Sequence, residues 1–390
     1  MDYNLVSGDS HVDLSWLPGD LFVENAPEAL KDKVPRIEET EEGPRWIAEG
    51  RVLGVANAAG HGFSPPIRGM RKRIDRMWDA GFYEGGPHPT TPELRLQDMV
   101  MDGIDAEILY GITGTGMRLK DHDTIAATYR VYNDWVADFC DSNPGRWYAL
   151  ACIPIHDPNL AAQELQRAAE KGPIRGADLI ASEVTWPIYT RDGYWDPLWD
   201  VVGKNRISIS FHVGGGRIPV PPPPNGDASS NGESSQNALA HQGVTQSLGQ
   251  LSGVQWLIGI ILSGTCEKFP DFKFVMGECG AGWVPFVLGR MDHIYLDSAL
   301  DKKFDPPLSL LPSEYWFRQG STTFQEESDV AQMAHLIGED NMMWGSDYPH
   351  PDGVWPDSKE IIQETMGDLE PRVLGKITRD NAVRQYRMGQ

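Results

Sequence analysis

Along the chain, short apolar or β-branched runs alternate with longer stretches whose apolar residues recur every three to four positions. Eight short runs are bounded by turn or helix signals and read as strands: 3–7, 106–110, 148–153, 176–180, 207–211, 274–277, 320–323 and 342–345. Helical patterns lie between most of them. Residues 123–141 carry an apolar stripe (Ile125, Tyr129, Tyr132, Trp135, Val136, Phe139) and stop at Asn143-Pro144-Gly145. Residues 159–171 are rich in Ala and Leu and close on Gly172-Pro173. The stretches 193–205, 246–269 and 326–337 precede the fifth, sixth and eighth strands. Strand alternating with helix predicts a parallel sheet, and eight such units predict an α/β fold, a (β/α)8 TIM barrel. Such a barrel takes about 250 residues, so about 140 of this chain are insertions.

Two insertions stand out. Residues 14–95 hold no clear barrel element and contain Arg71-Lys72-Arg73 and Gly85-Gly86-Pro87. They read as a cap-like insertion over the barrel mouth, within a single domain spanning 1–390. Residues 217–240 follow the fifth strand and open on Arg217-Ile218-Pro219-Val220, then more proline, then Asn, Gly and Ser. Stiff proline followed by flexible Gly/Ser suits a lid, a subunit-contact arm or a mobile surface loop.

Composition narrows the class of protein. Apolar residues make up 40% and charged residues 23% of the chain, ordinary for a soluble globular protein. A net charge of −22 argues against a nucleic-acid or anionic-membrane surface, which needs a basic footprint. Cys140, Cys152, Cys266 and Cys279 are widely spaced with no C-x-x-C pair, which points to a reduced, cytoplasmic protein. The N-terminus does not resemble a signal peptide, and no apolar stretch reaches transmembrane length.

The chemistry lies where strands end, the face on which barrels of this kind carry their sites. The first strand leads into Asp9-Ser10-His11; residues two apart in extended chain point the same way, so Asp9 and His11 can bind one ion. The fifth strand ends in His212, the sixth in Glu278, and the eighth in Gly345-Ser346-Asp347-Tyr348-Pro349-His350. Imidazoles and carboxylates at opposite ends of the chain imply that the first and last strands are neighbours in a closed barrel. That much negative charge in one volume is costly unless a cation compensates it. His350 serves equally well as a ligand or as a loop cap, and His241 as a ligand or a helix-surface residue. Cys279 reads as a packed small residue. Asp352 and Trp355 fit an active-site wall or plain loop structure. Gly214-Gly215-Gly216 lacks the spacing and lysine of a phosphate loop.

The stretches Ser7-Gly-Asp-Ser-His-Val12, Phe211-His-Val-Gly214, Phe269-Pro-Asp-Phe-Lys-Phe-Val275 through Trp283-Val-Pro-Phe286, and Trp344-Gly-Ser-Asp-Tyr-Pro-His350 resemble the amidohydrolase-related metal-dependent proteins of the aminocarboxymuconate-semialdehyde decarboxylase type. The resemblance implies that His11, His212 and Asp347 ligate metal. Asp9 stands where the better-known members have the first histidine of H-x-H. Members near this subgroup carry a glutamate soon after the D-x-H motif; here Asp13 follows it. Decarboxylase relatives place an acid/base histidine after the sixth strand, where this chain has Glu278, which can be a general base, a ligand or a bridge between two metals. The implied cofactor is one or two divalent ions per chain. Zn, Mn and Fe are the candidates, and carboxylates favour the harder ions. His241 and His350 are the extra ligands a dinuclear centre would use.

Because the family holds hydrolases and decarboxylases, the resemblance implies a metal-dependent hydrolase or nonoxidative decarboxylase acting on a small organic acid or amide. In the hydrolytic form Glu278 is the general base toward metal-activated water, with Asp347 and His241 as further catalytic groups. The alternative is a non-haem dinuclear iron or Mn/Fe oxygenase on the same fold. A third class, a binding subunit that keeps the barrel with little catalysis, fits the intact ligand set poorly. The expected partner is a small molecule, and relatives commonly form dimers, so a homodimer is expected.

Overall fold

The computed structural model describes residues 2–56, 68–69, 72–83, 89, 91–179, 188–214 and 236–389. Its strands are β1 (Val6–His11), β2 (Arg36–Thr40), β3 (Gly43–Ala48), β4 (Arg51–Val55), β5 (Ala106–Tyr110), β6 (Trp147–Cys152), β7 (Ile174–Leu179), β8 (Ser208–His212), β9 (Lys273–Gly277), β10 (Gly320–Phe324) and β11 (Met342–Trp344). Eight of them pair side by side in the order β1-β5-β6-β7-β8-β9-β10-β11, every pairing parallel. Alternate residues serve two cores. Val6, Ala106, Ile108, Tyr110, Tyr148, Leu150, Val275 and Met343 fill the interior, closed from below by Tyr386 and Met388. Leu109, Ala149, Ala151, Ile209, Phe211, Phe274 and Met276 face the surrounding helices. With both faces covered, such strands read as continuous apolar runs, which is why their sequence pattern was plain.

The ring closes between β1 and the turn after β11. Asp347 N donates to Asp9 O (2.9 Å) and His11 N to Tyr348 O (2.6 Å), while Ser346 N donates to Ser7 Oγ (2.9 Å). Gly345 permits this approach: a Cβ there would sit 2.6 Å from the Cβ of Asp9. The molecule is therefore a (β/α)8 TIM barrel.

Helices follow the strands as the apolar periodicity predicts, with sharper starts. Asp121 caps His122–Asp141 by accepting from Asp123 N and Thr124 N, and Asp157 caps Pro158–Ala169 in the same way. The apolar stretch 246–269, expected as one helix, is divided among Gln236–Gly249, Ser252–Leu262 and Thr265–Lys268. Ser263 turns its hydroxyl back onto the Ile260 carbonyl (2.9 Å) where the second of these ends. Among the described residues no helix is long and apolar enough to cross a membrane.

The insertion after β1 contributes no barrel strand but builds a separate antiparallel sheet, β2-β3-β4. Its second turn places Glu49 (φ 51°) and Gly50 (φ 71°) in the left-handed region, the geometry that matches strand twist in a tight hairpin. Further along, Met77 and Phe82 pack with Trp16, Tyr348 and Trp355. Arg73 reaches Glu326 (2.7 Å) and Asp357 (3.1 Å). This part of the insertion thus lies against the segments that follow β10 and β11. Most of the Pro/Gly/Ser stretch, residues 215–235, lies outside the described residues, as do Gly85-Gly86-Pro87.

Candidate metal centre

Four strand ends deliver six donors to one buried volume. His11 Nε2 lies 3.0 Å from Asp347 Oδ1, 3.3 Å from Asp9 Oδ1 and 3.8 Å from Glu278 Oε2. His212 Nε2 lies 3.3 Å from Glu278 Oε2 and 3.9 Å from Asp9 Oδ1. His350 Nδ1 lies 2.9 Å from Asp347 Oδ1. Two overlapping groups could each hold an ion: Asp9, His11 and His212, and His11, Glu278, Asp347 and His350, with the donor atoms of each group within 4.8 Å of one another.

The donor atoms themselves test the fit of a cation. Asp9 Oδ1, His11 Nε2, His212 Nε2, Glu278 Oε2 and both Asp347 carboxylate oxygens are buried and accept or donate no hydrogen bond. Buried polar atoms are nearly always partnered, because leaving one bare costs its full desolvation. Here the bare atoms converge, and oxygen and imidazole nitrogen are the donors divalent ions take. The residues fit a divalent metal.

The electrostatics carry the same strain. Burial, reinforced by the charge of Asp347, raises the Glu278 carboxyl well above its usual range. Burial also works against ionising Asp347, yet His350 and His11 hold its carboxyl well below the usual value. For His11, burial and His350 oppose the charged form, but Asp347 and Asp9 push it up to about 10. His212 is brought down to about 4 by burial. Neighbouring groups of one type are thus driven in opposite directions, which a fixed positive charge would relieve.

The backbone is bent to serve this arrangement. Glu278 (φ 51°) and Asp347 (φ 56°) both adopt the left-handed conformation, costly for residues with a Cβ and found where surrounding structure enforces it. Thr323 provides part of that enforcement. Its hydroxyl accepts from Glu278 N (2.6 Å) and donates to Asp9 Oδ2 (2.6 Å), tying β1, β9 and β10 together. The Glu327 carboxylate accepts from Ala281 N and Gly282 N, 3.1 Å each, and fixes the loop beyond Glu278. Behind His11, Arg95 donates to its carbonyl (2.8 Å) and to Glu107 (2.7 Å).

A family model described as amidohydrolase matches residues 63–388, most of the chain. The chain belongs to the amidohydrolase family. It is 26% identical over 289 residues to the gamma-resorcylate decarboxylase of Polaromonas sp., covering 70% of this chain and 83% of that protein. It is 24% identical to the 2-amino-3-carboxymuconate-6-semialdehyde decarboxylase of Dictyostelium discoideum, covering 73% and 74% respectively. Among solved structures, the dihydroxybenzoic acid decarboxylase of Polaromonas sp., with bound manganese and 2-nitroresorcinol, superposes with a TM-score of 0.66 at 17% identity, covering 100% of this chain and 98% of that one. This amidohydrolase is accordingly a metal-dependent enzyme.

Asp9, His11, His212, Glu278, Asp347 and His350 meet in the amidohydrolase barrel as the strand-end pattern predicts. His241 does not join them: it lies on the helix Gln236–Gly249 and in neither donor group. Cys279 is packed, its thiol directed at the Gly277 carbonyl (3.1 Å). Trp355 is committed to packing, its indole N–H donating to Asp98 O (3.1 Å). Asp13 pairs with His350 (3.2 Å). Thr323 and a buried carboxylate on β7, Asp178, were not singled out from the sequence. Thr323 ends the predicted strand 320–323, so the strand-end test applied to all eight would have reached it; Asp178 is the middle residue of the predicted strand 176–180, which that test passes over.

Proposed function

We propose that this amidohydrolase is a metal-dependent nonoxidative decarboxylase of a small aromatic or unsaturated carboxylic acid. The observation that carries the reading is the set of bare, converging Asp and His donors in a chain that spans 83% of a gamma-resorcylate decarboxylase. Asp9, His11, His212 and Asp347 would hold the ion, and manganese, present in the Polaromonas structure, suits so oxygen-rich a site. When bound, the cation supplies positive charge for an anionic substrate.

The remaining chemistry falls to the chain. Glu278 replaces the histidine expected of a decarboxylase, and its place beside Asp347 and 3.3 Å from His212 suits a proton donor to a substrate held at the ion. It would deliver that proton to the substrate carbon as the bond to the carboxylate breaks. The electron pair of the broken C–C bond becomes the new C–H bond, and carbon dioxide leaves. Hydrolysis would instead need Glu278 to start as the base.

One observation favours a second reading, the dinuclear oxygenase. The two donor groups share His11, and Glu278 stands between His212 and His11 as a bridging carboxylate would. Manganese-loaded protein incubated in heavy water with a panel of hydroxybenzoates, once without oxygen and once in air, separates the two. Carbon dioxide release with one deuterium placed at the vacated carbon is the expected result. No release from any acid, with two redox-active ions per chain and oxygen uptake, would sink the decarboxylase in favour of the oxygenase.

A further inference from the structure

Asp178, near the C-terminal end of β7, is a buried carboxylate that the metal does not account for. It is 1% exposed and pairs in register with Ser210 on β8. Matched residues on neighbouring parallel strands point to the same side, and Ser210 donates to Tyr110 inside the barrel (2.9 Å). The Asp178 side chain therefore faces the interior. The Thr113 hydroxyl, beyond β5, donates to its Oδ2 (2.9 Å). Among the described residues Oδ1 has no partner, and no Lys, Arg or His forms an ion pair with this carboxylate.

Asp178 is in neither donor group, yet Asp9 and His11 are near enough for their charges to act on it. It stands beside the metal site. A carboxylate buried without a cation is held in its neutral form, because the charged form loses its hydration with nothing in return. Burial accordingly pushes Asp178 up to about 7, with Thr113 opposing. With Oδ2 engaged by Thr113, Oδ1 is the oxygen left to meet a substrate group.

We propose that Asp178 is a specificity-determining residue whose Oδ1–H donates to an oxygen of the anionic substrate, selecting acids that present a carboxylate or phenolate oxygen to β7. This rests on the decarboxylase reading and adds to it a second point of substrate recognition, besides the metal.

Equilibrium binding to manganese-loaded protein tests it without turnover. The probes are 2-nitroresorcinol, which has no carboxylate to lose, and nitrobenzene, which lacks phenolic oxygens. D178N keeps a donor, because its amide carbonyl can face Thr113 and its N–H₂ the site, so it should bind 2-nitroresorcinol within about threefold of wild type. D178L and D178A should each bind it at least about tenfold more weakly, the loss of a hydrogen bond to a charged group. Their manganese content and nitrobenzene binding should be unchanged. Two substitutions are used so that one that fails to fold does not decide the outcome. Undiminished 2-nitroresorcinol binding in the folded Leu or Ala variant would overturn the inference alone, and so would equal weakening toward both probes or loss of manganese. If wild-type protein binds no 2-nitroresorcinol, the decarboxylase reading fails and Asp178's role with it.

Discussion

Two buried polar clusters lie back to back at the mouth of this barrel, and they are built on opposite terms. Behind β1, Arg95 meets Glu107 at 2.7 Å, donates to the His11 carbonyl and lies over the Tyr348 ring. Glu107 also accepts from the Trp147 indole (3.2 Å). There the positive charge is supplied by the chain. In front of β1, Asp9, Asp347 and Glu278 face three imidazoles with no Lys or Arg among them, and the inward carboxylate atoms are bare. A buried cluster that carries its own counter-charge is structure. One that lacks it awaits a ligand. The left-handed backbone at Glu278 and Asp347 belongs to the second cluster alone.

The widest gap between the clusters should appear on deleting their central carboxylates and cations in turn. Asp347→Ala should abolish turnover and reduce bound metal, by elemental analysis, to a small fraction of wild type, while the protein still unfolds cooperatively. Stoichiometric metal in that variant would remove Asp347 from the ligand set. Arg95→Met should do the reverse. It leaves Glu107 buried without its partner, a loss of about 3–5 kcal/mol of stability, read as a lower denaturant midpoint, while the protein that remains folded keeps its metal. Unchanged stability there would mean the rear cluster is not the brace the geometry describes.

Glu278→Gln probes chemistry inside the front cluster. It removes the titratable proton without removing volume, so turnover should fall by at least about 100-fold, as loss of an acid–base group does, with little change in thermal midpoint. Thr323→Val reaches one layer further out. Both Asp9 Oδ2 and Glu278 N lose the hydroxyl that holds them, and metal affinity should weaken by about 10–100-fold, the usual effect of removing a ligand's support. A valine variant that titrates with metal like wild type would show that the strained turn at Glu278 holds without it.

Much of this contrast was legible before any coordinates. Strands covered on both faces appear as apolar runs, and at four of their ends the residue type changes abruptly to Asp, His or Glu, so barrel and front cluster emerged together. The boundary of β1 was drawn early, at 3–7 instead of Val6–His11, because Asp9 and His11 are strand residues whose polarity hides them from a hydrophobic pattern. The sheet β2-β3-β4 was missed for a related reason: its strands are half-exposed and rich in Arg and Glu, and its second turn uses Glu49-Gly50, not the usual Asn-Gly. Thr323 carries no charge to draw notice. The rear cluster joins Arg95 on the helix Pro92–Asp102 to Glu107 on β5, and such a juxtaposition follows from packing that no local pattern encodes.

His241 marks where inference from residue type alone gives out, and it carries the smallest expected effect. A histidine just past a long insertion after the fifth strand has the right chemistry for a ligand. Its side chain, however, stands on the helix Gln236–Gly249, outside both donor groups, and its buried Nε2 has no partner among the described residues. A bare imidazole nitrogen next to the metal would have been drawn into one of those groups; one that is not has lost only a hydrogen bond, and replacing it should cost little. His241→Ala should therefore keep its full metal complement and stay within about threefold of wild-type kcat, since no acid–base factor of 10²–10⁴ is at stake. A fall in bound metal would instead place His241 in the front cluster and make the centre larger than the six donors that meet at β1, β8, β9 and β11.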